Sequence, residues 1–363
     1  MSNNLYHQER FLLMTLDPVH VGTGGNRLGR VDNSIVREPG TRLPKIPGTS
    51  LSGAVRQYAA YRYGKRQCAG QGGHCRRPTC PICYTFGFVQ GENGVQAHSG
   101  VVSIGDARLL LFPVYSLAGP VWVTSPGALG EFRVTESDPG EQVKLPSSLS
   151  GHGHLNLGWL MLKKVETGSF QWPDEIKEVP DEIKNRAVLV SNKLFSQIVN
   201  SNLEVRTSVS INPETGAASE GKLFTYEAIP RAAVLWLDVV VDDYRKAFPS
   251  KKQLEEWQSL LAGSDGAVKK KLLKQWRLWK EENGDQKLAG AIQTAQKWLE
   301  EDLKQYTLAT MPMPDGGWFK NGDNKDVPAN VVRAGLELAQ HLGIGGMGTR
   351  GFGRVRLLNG EVE

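Results

Sequence analysis

Apolar and polar positions along the 363-residue chain change period several times, and each change predicts an element. Residues 9–17 carry Phe11, Leu12, Leu13, Met14 and Leu16 in a nearly continuous apolar run closed by Pro18, the pattern of a buried strand. Beyond Pro47 and Gly48, Leu51, Val55 and Tyr58 recur at helical spacing up to Gly64, with Thr49 or Ser50 as the cap. Residues 101–113 alternate and then turn continuously apolar, predicting one or two strands. Residues 134–155, rich in Pro, Gly, Ser and charge, predict a surface excursion in which His152 and His154 are solvated. Ile183, Ala187, Val188, Leu194 and Ile198 predict one amphipathic helix over 181–200.

Further on, residues 203–227 read as two strands joined by an Asn212-Pro-Glu-Thr-Gly turn, and 229–241 as another strand, most apolar from Ala232 to Leu237. From 250 to 305 the chain becomes charged and helical. Trp257, Trp276, Trp279 and Trp298 stand at near-helical offsets and predict the seam of a helical hairpin whose basic residues face water. Residues 311–328 read as a Pro/Gly/Asp loop, 331–342 as a helix stopped by Gly343, and 354–358 as a last strand. The alternation of both element types makes the fold class α+β. The run Gly343-Ile-Gly-Gly-Met-Gly348 satisfies G-x-G-x-x-G, but a helix precedes it and only fifteen residues follow, so it is no dinucleotide fingerprint.

Composition adds bounds. A hydrophobic share of 40% is ample for a core, and a net charge of +5 permits a nucleic-acid partner without requiring one. No apolar run reaches signal-peptide length or the ~18 residues of a membrane helix, so the expected location is the cytoplasm, with no membrane partner. All four cysteines, Cys68, Cys75, Cys80 and Cys83, fall within sixteen residues. In a reducing compartment such crowding points to metal, and the Cys80-x-x-Cys83 pair has the spacing at which one turn presents two thiolates to a structural Zn2+. His74 is a competing ligand. Free thiols or a redox pair at Cys80 and Cys83 would leave the other two cysteines unexplained.

Gly22, Gly24, Gly25 and Gly29 form a loop with little side-chain bulk, and Lys45 precedes a helix that carries Arg56 one turn in. Backbone amides at such a loop and helix start suit a phosphate. An ordinary surface loop before a capped helix fits the same pattern.

Three runs, His20-Val-Gly-Thr-Gly, Leu43-Pro-Lys-Ile-Pro-Gly-Thr-Ser-Leu-Ser-Gly-Ala-Val-Arg56 and Gly343-Ile-Gly-Gly-Met-Gly-Thr-Arg-Gly-Phe-Gly-Arg354, together resemble the RAMP superfamily of CRISPR proteins. Asp106-Ala-Arg-Leu-Leu-Leu-Phe-Pro-Val-Tyr-Ser-Leu and Val123-Thr-Ser-Pro more narrowly resemble the backbone subunit of the type III-B (Cmr) effector complex. The resemblance implies an RRM-like (ferredoxin-like) palm over 1–245 bearing a zinc loop (64–100) and a thumb β-hairpin (203–227). A helical insertion over 246–305, longer than the family needs and suited to docking a neighbouring subunit, precedes palm completion over 306–363 with a C-terminal Gly-rich loop. The implied partners are crRNA, target RNA, copies of the chain in a helical filament and other Cmr-complex subunits.

Asp32, in Val31-Asp-Asn-Ser-Ile-Val, stands where the family has the aspartate needed to cut target RNA, with Mg2+ or Mn2+ as the divalent cation. Without the resemblance it would be an unremarkable loop residue. RNA contacts are implied at His20, Lys45, Thr49, Ser50, Arg56, Arg206, Gly345, Gly346, Thr349, Arg350 and Arg354. For His20, packing at a strand end competes with that role. Ser52 stands where many relatives have lysine, which removes one phosphate contact. A non-catalytic RNA-binding RAMP subunit and the equivalent Csm-type (III-A) backbone subunit are the alternatives. Asp32 separates the first from a nuclease, and the run over 106–117 favours Cmr over Csm.

Overall fold

In the computed structural model, which describes residues 6–24, 31–70, 73–75, 77, 79–88, 98–168, 170–307 and 327–359, the first apolar run forms strand β1 (His7–Thr15) with Phe11, Leu12 and Leu13 buried. Gly25, Gly29, Arg30 and residues 311–326 lie outside the described residues. Strand β2 (Lys45–Ile46) leads into helix α1 (Gly48–Arg62), whose Leu51, Val55 and Ala59 are buried. The helix starts before the expected caps Thr49 and Ser50. Its first N–H, from Gly48, donates to Asp106 Oδ1 at 2.8 Å, so a carboxylate from a distant strand replaces the local hydroxyl. Gly48 is required there, because a Cβ would stand 2.3 Å from the Ile104 carbonyl oxygen.

Past helix α2 (Pro81–Phe86), strands β3 (Ala107–Ser116) and β4 (Gly119–Thr124) pair antiparallel. The surface excursion expected over 134–155 is corrected: Val143 and Leu145 are buried in strand β5 (Val143–Leu145), and strands β6 (His154–Leu157) and β7 (Leu160–Thr167) follow. Polarity misleads there because each strand wets one face, buried Leu155 and Leu157 alternating with His154 and Asn156. The single helix expected over 181–200 is also corrected. It is a helical turn (Asp181–Lys184), strand β8 (Ala187–Leu189) and helix α3 (Asn192–Ser201). Ala187 to Val190 are all buried, a run too continuous for an amphipathic helix, and the Ser191 hydroxyl caps α3 at the Leu194 N–H.

Strands β9 (Glu204–Ile211) and β10 (Ala218–Ala228) form the expected hairpin. Ala232 sits at φ 64°, so strand β11 (Val234–Val241) begins only two residues later. The charged segment folds into three helices, not two: α4 (Lys251–Ala262), α5 (Gly266–Gln275) and α6 (Gln286–Thr307). Trp257, Trp276 and Trp279 join Leu254, Leu261, Leu273 and Leu299 in their core. Trp298 leaves that seam and lies 4.8 Å beneath the Arg77 guanidinium. Helix α7 (Val327–Leu342) ends at Gly343, φ 76°, and strand β12 (Val355–Leu357) closes the chain's regular structure.

The chain divides into two compact units. One comprises residues 9–54, 104–239 and 336–363 and is built on a sheet with strand order β12-β1-β11-β3-β4-β8-β5-β7-β6. Leu12, Leu110, Leu111, Leu189, Val234 and Trp236 are part of its core. The other comprises residues 1–8, 55–103 and 240–335. Its core joins Ala59, Tyr63, Ile82, Phe248 and Val331 to the cysteines. Within it Gly335 meets α1 so closely that a Cβ would be 2.4 Å from the Val55 carbonyl oxygen. Among the described residues no helix is long and apolar enough to cross a membrane.

That second unit buries an ion pair. Lys65 Nζ lies 3.1 Å from Asp302 Oδ1, with the two side chains 5% and 0% exposed, and the Thr79 hydroxyl donates to the other Asp302 oxygen. Burial pushes the Asp302 carboxyl up, opposed by the nearby Lys65. Removing one partner takes from the other buried charge its nearest counter-ion, so Asp302→Ala is expected to cost about 3–5 kcal/mol in denaturant unfolding. Lys65→Met combined with Asp302→Leu should recover most of it, and a double variant as unstable as the single would reject the electrostatic account.

Candidate functional site

The site is assembled around the base of the hairpin. Residues 31–38 run beside β10: Asn33 N–H donates to the Thr225 carbonyl at 3.0 Å, and Glu227 N–H donates to the Asn33 carbonyl at 3.0 Å. The backbone places Asp32 against Thr225. Asp32 Oδ2 accepts from the Thr225 N–H and hydroxyl, both at 2.8 Å, while the Asp32 N–H donates to the same hydroxyl at 2.9 Å. Hydrogen bonds from the Thr225 amide and then its hydroxyl hold the Asp32 carboxyl below its ordinary range. The side chain is exposed and anionic at neutral pH, and among the described residues only its Oδ2 is hydrogen-bonded.

Beneath it, Glu227 is buried and takes two donors from one segment. Arg37 Nη2 donates to Oε1 at 2.7 Å and Ile35 N–H to Oε2 at 3.2 Å, while Arg37 also reaches the Ile35 carbonyl and Asn200 Oδ1. Thr225, Glu227, Arg37 and Asn200 had no recognisable motif in the sequence. The usable signal was charge inside otherwise apolar or alternating strand segments, at Arg37 and Glu227.

In an antiparallel pair, residues opposite each other share a face. Thr207, Thr225, Val205 and Glu227 therefore lie on the face toward Asp32, and Arg206, Ser208, Phe224 and Tyr226 on the other. That second face meets the C-terminal glycine loop. Arg350 Nη1 is 3.3 Å from Ser208 Oγ, and the Arg206 guanidinium lies 4.9 Å from the Phe352 ring and 2.6 Å from Glu204. Arg350, Thr349 and Arg354 are exposed, and Arg354 pairs with Asp17 at 2.5 Å, which draws the Asp17 carboxyl down. Gly346 N–H donates to the His20 carbonyl at 2.9 Å, and Gly345, φ 91°, would drive a Cβ to 2.4 Å from that oxygen. His20 is itself buried: its Nδ1 is 2.6 Å from the Glu227 carbonyl and its ring meets Tyr226 edge-on. It braces the two loops from inside.

The remaining expected contacts are dispersed. Lys45 Nζ pairs with Asp106 at 2.5 Å and so is partly neutralised, while Thr49 is exposed and Ser50 half-buried in the first turn of α1. Arg56 is a correction. It donates to the Cys68 carbonyl at 2.9 Å, the Gly87 carbonyl at 3.0 Å and His74 Nδ1 at 3.1 Å, which makes it a brace of the cysteine loop and not a free phosphate ligand.

The four cysteine sulfurs lie within 4.8 Å of one another. Cys68 and Cys80 Sγ are 3.8 Å apart, and Cys75 and Cys83 Sγ 3.9 Å. Four Zn–S bonds of about 2.3 Å in a tetrahedron have edges of about 3.8 Å, whereas a disulfide needs about 2.05 Å. Cys75 N–H donates to Cys68 Sγ and Cys83 N–H to Cys80 Sγ, the amide support usual around bound thiolates. Burial pushes the Cys80 thiol up, so an ionised cluster there needs a cation. The donor set fits a metal ion such as zinc. His74 is not in the group: its ring stacks near Phe88 and its Nδ1 meets Arg56.

Compared with known proteins, the chain matches the RAMP superfamily over residues 12–356. The CRISPR system Cmr endoribonuclease Cmr4 of Pyrococcus furiosus is 27% identical over 252 residues, 63% of this chain and 80% of that protein. The CRISPR system Cms endoribonuclease Csm3 of Methanothermobacter thermautotrophicus is 37% identical over 71 residues, 19% of this chain and 28% of that protein. Among solved structures, a chain of the type III-B Cmr-beta complex bound to cognate target RNA aligns over 65% of this chain and 84% of its own length, with TM-score 0.48 and 14% identity. Oligomeric Cmr4 from Pyrococcus furiosus aligns over 68% and 87%, with TM-score 0.44 and 20% identity.

The sulfur geometry generates a direct expectation. Purified protein should contain about one zinc per chain by elemental analysis. Cys80→Ser with Cys83→Ser should lose the metal and lower the melting temperature, and so should a strong chelator. Metal-free protein that melts at the same temperature would reject a structural metal.

Proposed function

Because this chain belongs to the RAMP superfamily, we propose that it is a backbone subunit of a type III-B, Cmr-type CRISPR effector complex, binding crRNA and cleaving the target RNA paired to it. The observation that carries the reading is the fixed, exposed Asp32 carboxylate at the base of the β9–β10 hairpin. The named Cmr endoribonuclease matches across most of its length, whereas the Csm relative matches over a short stretch, which favours the Cmr-type assignment. The strand order β12-β1-β11-β3, with α1 following β1 and α7 preceding β12 in the chain, supports an RRM-like palm. The hairpin is its thumb, and Cys68, Cys75, Cys80 and Cys83 hold a structural Zn2+. Copies of the chain and other Cmr subunits are the protein partners, and the cytoplasm is the location.

In this reading Arg206, Thr349, Arg350, Arg354 and the backbone at Gly345 and Gly346 meet RNA phosphates, with Lys45, Thr49 and Ser50 at the α1 start. His20 holds the loops together. The hairpin unstacks a nucleotide, and Asp32 orients its ribose 2′-OH for in-line attack on the adjacent phosphate: the P–O2′ bond forms as P–O5′ breaks, the 2′ proton passes to water, and the products are a 2′,3′-cyclic phosphate and a 5′-hydroxyl. A carboxylate kept ionised by two donors is a weak general base and a good acceptor, so Asp32 aligns the hydroxyl more than it removes its proton. Among the described residues Asp32 belongs to no three-ligand acidic group. A divalent cation, Mg2+ or Mn2+, would be held at the Asp32 carboxylate and would supply charge neutralisation.

Asp32→Ala in the assembled complex should lower target cutting about 100-fold or more while guide binding persists. The wild type should cut at regular intervals and require a divalent ion; unchanged cutting by Asp32→Ala would leave the non-catalytic RNA-binding reading. A second test uses Thr225→Val, which deletes the hydroxyl donor and should raise the Asp32 pKa. The active carboxylate is then lost at higher pH on acidification, so the acid limb of the pH–rate profile should move upward. An unmoved limb would mean that Asp32 is not the titrating group.

A further inference from the structure

The second unit carries a cationic and aromatic cluster that the reading above does not use. Arg245 is held on neutral partners: Nη2 donates to the Tyr84 carbonyl at 2.9 Å, the guanidinium lies 4.6 Å from the Tyr84 ring, and Nη1 is 3.1 Å from His98 Nδ1. Its Nε is buried without a hydrogen-bond partner. The neighbouring acid, Asp243, is engaged by the Tyr84 hydroxyl and the Lys246 N–H. Since an arginine only donates, His98 Nδ1 must accept, which puts the imidazole proton on Nε2 and leaves that donor for a ligand. His98 is exposed, and its ring stacks 5.1 Å from Phe88.

Further cationic and aromatic residues belong to the same unit. Arg277 is an exposed non-glycine residue held at φ 59°, a left-handed conformation that side chains rarely adopt. After burial, it is the positive charges of Arg245 and Arg277 that depress the His98 pKa. Residues 266–280 contain six basic and no acidic side chains, of which Lys270 and Lys274 pair with Asp285 and Glu281. Tyr244 is 61% exposed with its ring 5.5 Å from the Arg245 guanidinium.

We propose that Arg245 and the His98 Nε2–H bind a phosphate of single-stranded RNA, with Arg277 adding positive charge to their field and a neighbouring base stacked on Tyr244. A guanidinium that pairs with no carboxylate among the described residues meets a phosphate without first breaking an ion pair, and the exposed Tyr244 ring beside Arg245 supplies the flat face that a base needs. The site stands on these residues whether or not Asp32 cleaves RNA.

The test uses the full-length zinc-loaded chain and a labelled RNA strand of about ten nucleotides carrying 4-thiouridine. Crosslinks should map to Tyr244. Arg245→Gln with Arg277→Gln should weaken binding about tenfold and reduce the salt slope by about one per arginine. Tyr244→Ala should weaken binding about fivefold or more, with Tyr244→Phe close to wild type. Arg277→Gln and Tyr244→Ala alter exposed side chains, so they keep the test intact if Arg245→Gln fails to fold. Inorganic phosphate is the second arm. If it shifts the His98 NMR signals while no RNA crosslink forms at Tyr244, the RNA assignment is overturned in favour of a free anion. Wild-type affinity and salt slope in Arg277→Gln and Tyr244→Ala, with crosslinks confined to residues 203–227 or 343–354, would overturn the site altogether.

Discussion

The candidate site depends on the burial of one carboxylate, Glu227. A charge removed from water must be met by donors of fixed geometry, and here Arg37 and the Ile35 amide meet it from the segment that carries Asp32. Arg37 is itself anchored on Asn200 of α3, so the hairpin strand, the 31–38 segment and that helix have one mutual arrangement. Asp32 inherits its position from this arrangement. It contributes little to it, being an exposed side chain hydrogen-bonded to Thr225.

The hairpin illustrates the same division between base and tip. Val205, Val209, Ile211, Leu223 and Phe224 are all more than 40% exposed. A two-stranded ribbon without a core of its own is marginal in water, so its order comes from the base, where Glu227, Ala228 and Ile229 are buried. In the proposed function that exposed apolar surface is available to bases and to neighbouring subunits.

In the second unit the polar groups that are buried are also organised in sets. Lys65, Asp302 and Thr79 bond to one another, and the four thiols offer a cation a four-sulfur donor set. Arg56 ties the cysteine loop together through two carbonyl oxygens. Side chains that the sequence presents as generic positive charge thus divide into braces such as Arg56 and exposed groups such as Arg350. Only the position of hydrogen-bond acceptors separates them.

Much was legible without coordinates. The continuous apolar run of β1, the helical spacing of α1, the hairpin with its Asn-Pro-Glu-Thr-Gly turn and the crowding of four cysteines are local patterns, and each folded as its spacing requires. Asp32 was selected by resemblance alone, since nothing about a loop aspartate distinguishes it chemically. What failed or was missed was non-local. The apolar run over 187–190 reads as part of a helix until strands pack on it from both sides, and β5 is hidden in a polar stretch because only alternate residues are buried. The α1 start is capped from 58 positions away by Asp106, and Thr225 is brought to Asp32 across 193. Chain sequence encodes periodicity and turn chemistry, which act over a few residues. Which donor meets which acceptor across such separations was decided by the tertiary fold, because burial makes an unpaired polar group costly wherever its partner lies in the chain.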